Sequence, residues 1–175
     1  MKILVTGNLG YIGSVLVEKL INNGNLITGL DCGFYKDCDL YEYVKPQKQI
    51  IKDIRLVEKS DLNEIEAIIH LAALSNDPLG ELIPGITSEI NYTSTIKFAK
   101  MAKKAGVKKY IFSSTCSVYG DTKSKVLSES SATNPISEYA KSSLKVEKEL
   151  LNNLSDNSFI ITIVRLHNEK EKELQ

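Results

Sequence analysis

The fold of this chain is decided by the stretch Lys2-Ile3-Leu4-Val5-Thr6-Gly7-Asn8-Leu9-Gly10-Tyr11-Ile12-Gly13. A short β-branched and apolar run leads into three glycines, and apolar residues then recur at helical spacing from Ile12 to Leu20. This order predicts a strand, a tight turn and a helix. The glycine spacing, G-x-x-G-x-x-G, is typical of turns that bring a diphosphate to the N-terminus of a helix.

Each glycine of this turn has a physical reason to lack a side chain. A Cβ at Gly7 or Gly10 would hold a diphosphate away from the backbone N–H groups at the helix start, and Gly13 lets the helix lie close to the strand. Glycines occur in turns of every kind, so the triplet by itself also fits a turn that binds no ligand.

Length and charge narrow the class of protein. The 175 residues, 42% of them hydrophobic, can bury one core but are too few for two domains of ordinary size. Basic and acidic residues both number 22, which argues against nucleic acid or an anionic membrane surface as a partner. No signal peptide precedes the first strand, and no apolar run approaches the ~20 residues that span a bilayer.

The three cysteines, Cys32, Cys38 and Cys116, are an odd number without metal-ligand spacing. They favour a reducing compartment, so we expect a soluble cytoplasmic protein with free thiols and no metal site. Cys32 and Cys38 lie in a predicted loop, where metal ligation is the alternative.

Strand and helix patterns alternate along the chain. Strands are predicted at 3–6, 25–30, 49–52, 65–71, 107–113 and 159–166, and helices at 12–20, 56–60, 87–105 and 137–154. Polar stretches at 32–48, 75–85 and 121–134 are predicted loops. The alternation predicts an α/β fold, a doubly wound parallel sheet of about six strands with helices on both faces. Residues 1–166 would form this domain, followed by a charged tail at 167–175.

Residues at the ends of the predicted strands indicate the ligand. Asp31 lies close to the interval after the glycine turn at which a carboxylate accepts hydrogen bonds from an adenosine ribose. A 2′-phosphate there would meet like charge, and no arginine follows immediately, so NAD is favoured over NADP, with an ordinary loop aspartate as the alternative. Ligands of open parallel sheets lie across the carboxyl ends of the strands, so we expect Gly7, Asp31, Asp53 and Ala72 at one crevice.

Asn91 falls on the inward face of the helix predicted over 87–105. Because a buried amide needs hydrogen-bond partners, we expect Asn91 either to support the neighbouring strand or to bind the cofactor.

These motifs together resemble the extended short-chain dehydrogenase/reductase family, the NAD-dependent nucleotide-sugar epimerases and dehydratases. They run in order over nearly the whole chain: Thr6 to Gly13, Asp31, Asp53-Ile54-Arg55, His70-Leu71-Ala72-Ala73, Asn91, Phe112-Ser113-Ser114-Thr115 with Val118-Tyr119-Gly120, and Asn134-Pro135 ahead of Tyr139-Ala140-Lys141-Ser142. The resemblance implies NAD as the cofactor and a nucleotide-sugar as the substrate.

The resemblance also implies roles for single residues. Tyr11 and Ile12 would contact the diphosphate, Asp31 the adenosine ribose, Asp53 and Ile54 the adenine, and Leu71, Ala72 and Ala73 the middle and nicotinamide side of the cofactor. Thr115 and Tyr139 would be the catalytic pair. A tyrosinate can take the proton of a sugar hydroxyl once the tyrosine pKa falls from about 10 toward neutrality. Without Thr115 upstream, a half-buried structural tyrosine would be the better interpretation of Tyr139.

One departure from the family pattern bears on catalysis. Family members carry a lysine four residues after the tyrosine, where this chain has Ser143. That position lies about 40° round the helix from Tyr139, whereas Lys141 and Lys145 lie about 200° and 240° away and cannot replace the missing ammonium group. The tyrosine pKa then stays higher, at a cost of ~1.4 kcal/mol per pKa unit, so we expect oxidoreduction to be severely slowed or absent.

A second departure is length. Family members continue into a smaller carboxyl-terminal lobe that holds the nucleotide-sugar, whereas this sequence stops at Gln175, which predicts a truncated chain without its substrate domain. His167 is expected to be a solvated strand end. The resemblance also allows a homodimer through the helices predicted at 87–105 and 137–154.

Three functions therefore stay open: an impaired epimerase or dehydratase, a non-catalytic NAD-binding module, and a remnant that binds nothing. Ser143 favours the second, while the intact Thr115 and Tyr139 favour the first.

Overall fold

The computed structural model describes residues 1–36, 38, 42, 44–75, 83–121 and 126–167. One parallel sheet contains six strands: β1 (Lys2–Thr6), β2 (Leu26–Asp31), β3 (Lys48–Ile51), β4 (Ala67–His70), β5 (Lys109–Thr115) and β6 (Ile160–Leu166). Their order across the sheet is β3-β2-β1-β4-β5-β6, so the winding reverses between β1 and β4. The predicted doubly wound α/β fold is confirmed.

Among the residues that the structure describes, four α-helices connect these strands: α1 (Tyr11–Asn22), α2 (Pro84–Ser88), α3 (Thr95–Ala105) and α4 (Glu138–Glu149). A π-helical segment, Glu89–Ser94, joins α2 to α3, and a second, Leu150–Leu154, continues α4. Within the described ranges, no helix combines the length and apolar character that crossing a membrane would need.

The alternating side chains of β1 contribute to two cores. Leu4 belongs to the larger core, which includes α3 and α4, whereas Ile3 and Val5 pack with Val17 of α1 in the smaller core. Because successive side chains of a strand point to opposite faces, helices cover both faces of the sheet, as predicted.

The predicted helix over 56–60 is wrong. Two short 3₁₀ turns, Ile54–Leu56 and Lys59–Leu62, occupy this region and are separated by Val57 in an extended conformation. Asp53 caps the first turn by accepting a hydrogen bond from the Arg55 N–H, and Glu58 and Asp61 cap the second. These local side-chain contacts stabilise short turns at the expense of a continuous helix.

The predicted loop over 75–85 ends earlier than expected. Pro84 begins α2, in keeping with the preference for proline at the first position of a helix, and the helix predicted from residue 87 therefore starts three residues upstream. The rest of that loop, 76–82, lies outside the described residues, as does the predicted charged tail beyond His167.

Candidate cofactor and active site

The glycine turn lies at the carboxyl end of β1, next to the segment that follows β4. Gly7 adopts a φ of 70°, and a Cβ there would lie 2.9 Å from the backbone nitrogen of Ala72. A Cβ at Gly13 would lie 2.6 Å from the Cα of Asn8. Gly7 is thus needed for the close approach of the turn to the segment after β4. Gly13 is needed for the close approach of α1 to the turn itself, rather than to the strand.

Asp31 is buried and directed at the glycine turn. Its Oδ2 accepts a hydrogen bond from the Leu9 N–H at 3.1 Å, and its Oδ1 accepts one from the Gly33 N–H at 2.8 Å. The side chain is only 9% exposed, although it ends an edge-proximal strand. The Asp31 carboxylate therefore lies against the glycine turn, and its contact with a ribose stays a prediction.

The first residues of α1 are open to solvent. Tyr11 is 93% exposed and Ile12 is 48% exposed, so neither side chain is committed to the core. Gly10 precedes the helix in an extended conformation, and no side chain caps this end. Among the described residues, the N–H groups of the first helical turn therefore have no side-chain cap, and the anion expected there stays a prediction.

The segment after β4 is held from two sides. The Thr6 hydroxyl accepts hydrogen bonds from the N–H groups of Leu71 and Ala72, both at 3.2 Å. The Asn91 amide pairs with both backbone groups of Leu74, at 2.8 and 2.9 Å. Of its two predicted roles, Asn91 therefore fills the supporting one, and direct contact with a cofactor stays a prediction.

His70, at the end of β4, is completely enclosed. Its Nδ1 lies 3.0 Å from the Thr6 hydroxyl and its Nε2 lies 3.1 Å from the Thr95 hydroxyl. The ring packs against Phe98, Tyr110 and Phe112. Burial lowers the pKa of His70 to about 3, so the imidazole is neutral and belongs to the support of the crevice.

Asp53 and Ile54 follow β3, where an adenine is predicted. The Asp53 carboxylate accepts hydrogen bonds from the Arg55 guanidinium at 2.8 and 3.0 Å, and these bonds lower its pKa. The Ile54 side chain belongs to the larger core. Any contact of Ile54 with a ligand is thus made by its backbone.

The predicted catalytic pair lies on neighbouring elements. Thr115 ends β5 and is 8% exposed, and its hydroxyl accepts a hydrogen bond from the Ser117 N–H and donates one to the Ser117 hydroxyl, both at 3.1 Å. Tyr139 is half-buried in the first turn of α4, which Ser137 caps and which packs against β5.

Ser143 occupies the place of the missing lysine. It is 4% exposed, and its hydroxyl donates to the Tyr139 carbonyl at 3.0 Å. Lys141 and Lys145 are both exposed, and Lys141 pairs with Glu138 at 2.9 Å. Neither lysine therefore takes the place of the missing cation beside Tyr139, as the helical geometry predicts.

Sequence reasoning missed a buried ion pair beside this helix. Arg165 of β6 contacts the Glu147 carboxylate at 2.7 to 3.2 Å, and Glu147 also accepts a 2.5 Å hydrogen bond from Ser114. The same guanidinium donates to the Tyr119 hydroxyl at 2.8 Å. The sequence signal that could have indicated this ion pair is a charged residue, Arg165, inside an apolar strand. The contacts of the pair join α4 to the ends of β5 and β6.

The remaining predictions concern His167 and the three cysteines. His167 is exposed at the end of β6, as predicted. Cys32, Cys38 and Cys116 are free thiols, and no cluster of three or more potential metal ligands occurs among the residues that the structure describes.

Comparison with known proteins identifies the family. The model of the NAD dependent epimerase/dehydratase family matches residues 3–169. The chain belongs to this family. NAD is the cofactor of this family, as the sequence predicted. The resemblance to nucleotide-sugar epimerases and dehydratases is confirmed.

Two curated members of the epimerase/dehydratase family illustrate the match. UDP-glucose 4-epimerase of Bacillus subtilis is 33% identical over 183 residues, which cover 96% of this chain and 52% of that protein. The enzyme of the same name from Haemophilus influenzae is 34% identical over 184 residues, covering 96% of this chain and 53% of that protein. The chain thus spans about half the length of the curated relatives it matches.

Solved structures agree. UDP-glucose 4-epimerase of Thermotoga maritima with UDP-glucose superposes with a TM-score of 0.82 at 27% identity, covering 94% of this chain and 55% of that chain. UDP-glucuronic acid 4-epimerase of Bacillus cereus, in complex with UDP-glucuronic acid and NAD, gives a TM-score of 0.78 at 28% identity and covers 94% and 56%.

Proposed function

We propose that this chain is the NAD-binding part of a nucleotide-sugar epimerase or dehydratase whose oxidoreduction step is impaired. The observation that carries the proposal is the buried Asp31 carboxylate, which is directed at the N–H of Leu9 in the glycine turn. The cofactor and the nucleotide-sugar are taken from the chemistry of the family. The cytoplasmic location stays a prediction that rests on three unpaired cysteines.

The open outer side of the glycine turn supports the proposed binding of a dinucleotide. A Cβ at Gly10 would meet only the Gly7 carbonyl, at 3.4 Å, so the outer side of the turn is open. A diphosphate could approach the first N–H groups of α1 there, and Asp31 would receive the ribose hydroxyls. NAD is preferred to NADP because the buried carboxylate would repel a 2′-phosphate.

Thr115 and Tyr139 would act on the sugar hydroxyl. The Thr115 hydroxyl can exchange its bond to Ser117 for one to the reacting oxygen, and the Tyr139 phenolate would accept the hydroxyl proton. NAD, when bound, supplies the acceptor for the hydride. Ser143 donates to a backbone carbonyl and brings no positive charge, so the phenol keeps its proton more strongly than it would beside a lysine.

Calorimetric titration tests cofactor binding. We expect heat with NAD and weaker binding of NADP, and Asp31→Asn should reduce this preference because the repulsive charge is gone. If neither dinucleotide binds, the proposed function is wrong and the chain is a remnant without a ligand.

A substitution of Ser143 tests the impairment. Ser143→Lys should raise the rate of nicotinamide reduction with a nucleotide-sugar, measured with a carboxyl-terminal lobe of a relative supplied. Ser143→Met adds similar length without charge, so it controls for packing. Equal rates in both variants, with NAD still bound, would favour the second candidate function, a non-catalytic NAD-binding module. The buried Ser143 is the observation that favours this alternative.

A further inference from the structure

A pair of amides holds the glycine turn to the edge of the sheet. Asn8 lies inside the turn and is 1% exposed. Its Nδ2 donates to the Gln49 Oε1 at 2.7 Å, and the Gln49 Nε2 donates back to the Asn8 Oδ1 at 3.1 Å. Both hydrogen-bonding atoms of the buried Asn8 amide are therefore engaged by one residue of β3, 41 positions along the chain.

The amide pair requires a glycine on the strand between its members. Gly29 of β2 is the register partner of Gln49 on one side and of Val5 on the other. A Cβ at Gly29 would lie 2.5 Å from the Asn8 Cγ and 2.6 Å from its Oδ1, which is less than atoms can approach. The Asn8 side chain thus crosses β2 at Gly29 to reach Gln49.

The position of this contact gives it a role at the cofactor site. Asn8 stands between Gly7, whose φ is 70°, and Leu9, whose N–H is bonded to Asp31. Gln49 stands on β3, which leads to Asp53 and Ile54. The pair joins the part of the crevice predicted to hold the diphosphate to the strand that leads to the predicted adenine site.

We propose that Asn8 and Gln49 are positioning residues for dinucleotide binding, and that Gly29 is required because the Asn8 amide lies over it. Together they hold the glycine turn open for a diphosphate before the ligand arrives. This inference rests on the proposed NAD binding. It goes further by assigning part of the diphosphate affinity to residues other than the three glycines of the turn.

The experiment compares NAD, ADP and adenosine, because adenosine lacks the diphosphate. Asn8→Ala and Gln49→Leu should each weaken binding of NAD and ADP about tenfold, since a pre-formed site loses its support, and should change adenosine binding less than twofold. Gln47→Leu is the matched control. Gln47 accepts a hydrogen bond from the Ile27 N–H of β2 rather than from the turn, so this variant should bind all three ligands like the parent chain.

A double substitution isolates the packing over Gly29. Gly29→Ala should weaken NAD binding about tenfold in the parent chain but less than twofold in the Asn8→Ala chain, where the overlapping amide is absent. In the absence of ligand, the amide hydrogens of Leu9 and Gly10 should exchange faster in Asn8→Ala than in the parent chain. A loss of stability confined to other parts of the fold would not cause this change.

The outcomes separate the two proposals. If the parent chain binds no NAD, the proposed function fails. If the parent chain binds NAD while Asn8→Ala and Gln49→Leu bind it equally well, the positioning role is wrong. Equal weakening of adenosine and NAD, or a Gly29→Ala effect that persists in the Asn8→Ala chain, would also overturn it.

Discussion

His70 is a buried residue whose proton binding differs between the folded and the unfolded chain. Its two ring nitrogens face the hydroxyls of Thr6 and Thr95, and its ring neighbours are aromatic. Burial lowers the folded-state pKa of His70 to about 3, whereas an unfolded histidine titrates near its ordinary value of about 6.5. Between these values, only the unfolded chain binds this proton.

The free energy of unfolding should therefore fall as the pH is lowered from about 6.5, by up to about 1.4 kcal/mol per pH unit from this residue. The stability is fully present above the unfolded pKa and is lost as the pH falls toward the folded one. Urea unfolding between pH 6.5 and 5 measures the slope before most carboxylates titrate. His70→Gln should be less stable at pH 7 and show a flatter slope.

The second histidine provides the control. His167 is exposed, so His167→Gln should leave the pH slope of the parent chain in place. A His70→Gln chain that keeps the full slope would show that other groups cause the acid sensitivity.

Residue contacts also mark the limit of what the sequence could predict. The position of Asp31 beside the glycine turn is predictable because the carboxyl ends of β1 and β2, two neighbouring parallel strands, lie at the same edge of the sheet. The Asn8–Gln49 and Glu147–Arg165 contacts join residues 41 and 18 positions apart on different elements, and no local pattern encodes such pairing. Thr115 and Tyr139 were located by resemblance, and their mutual geometry depends on how α4 packs on β5.

At the scale of elements, the strands were predictable because their apolar runs are short and bounded by polar or small residues. The start of α2 at Pro84 was not predictable, because proline and glycine also mark loops. The π-helical segments were not predictable either, because the helical period continues through them. The junction of α4, β5 and β6 depends instead on the ion pair of Arg165 with Glu147. The Glu147 side chain is 5% exposed and that of Arg165 is 19% exposed, so the pair places a buried carboxylate against a partly buried guanidinium.

Arg165→Met should destabilise the chain by about 3–5 kcal/mol, because it leaves the Glu147 carboxylate buried without its cation. Lys141→Met removes the exposed pair with Glu138 and should cost at most about 1 kcal/mol. Chemical denaturation of the two variants measures the difference. Similar losses in both would mean that the buried pair is compensated by other groups.

At the scale of the whole molecule, charge bears on self-association. We propose that two copies pair through the helical face formed by α3 and α4, as the family resemblance implies. The exposed side of α3 carries Lys97, Lys100 and Lys104 beside the partly buried Tyr92 and Met101. Of these lysines, Lys100 forms an ion pair with Glu149 at 3.4 Å.

A two-fold interface repeats the same patch on both copies, so this face would bring like charges together. Salt screens such repulsion, and the dimer should therefore become tighter as the salt concentration rises. Sedimentation equilibrium at low and high salt measures this, and Lys97→Gln with Lys104→Gln should strengthen the dimer at low salt. Lys19→Gln, on α1, is the matched control and should have no effect. A dimer that weakens with salt would have to form through a different surface, held by opposite charges.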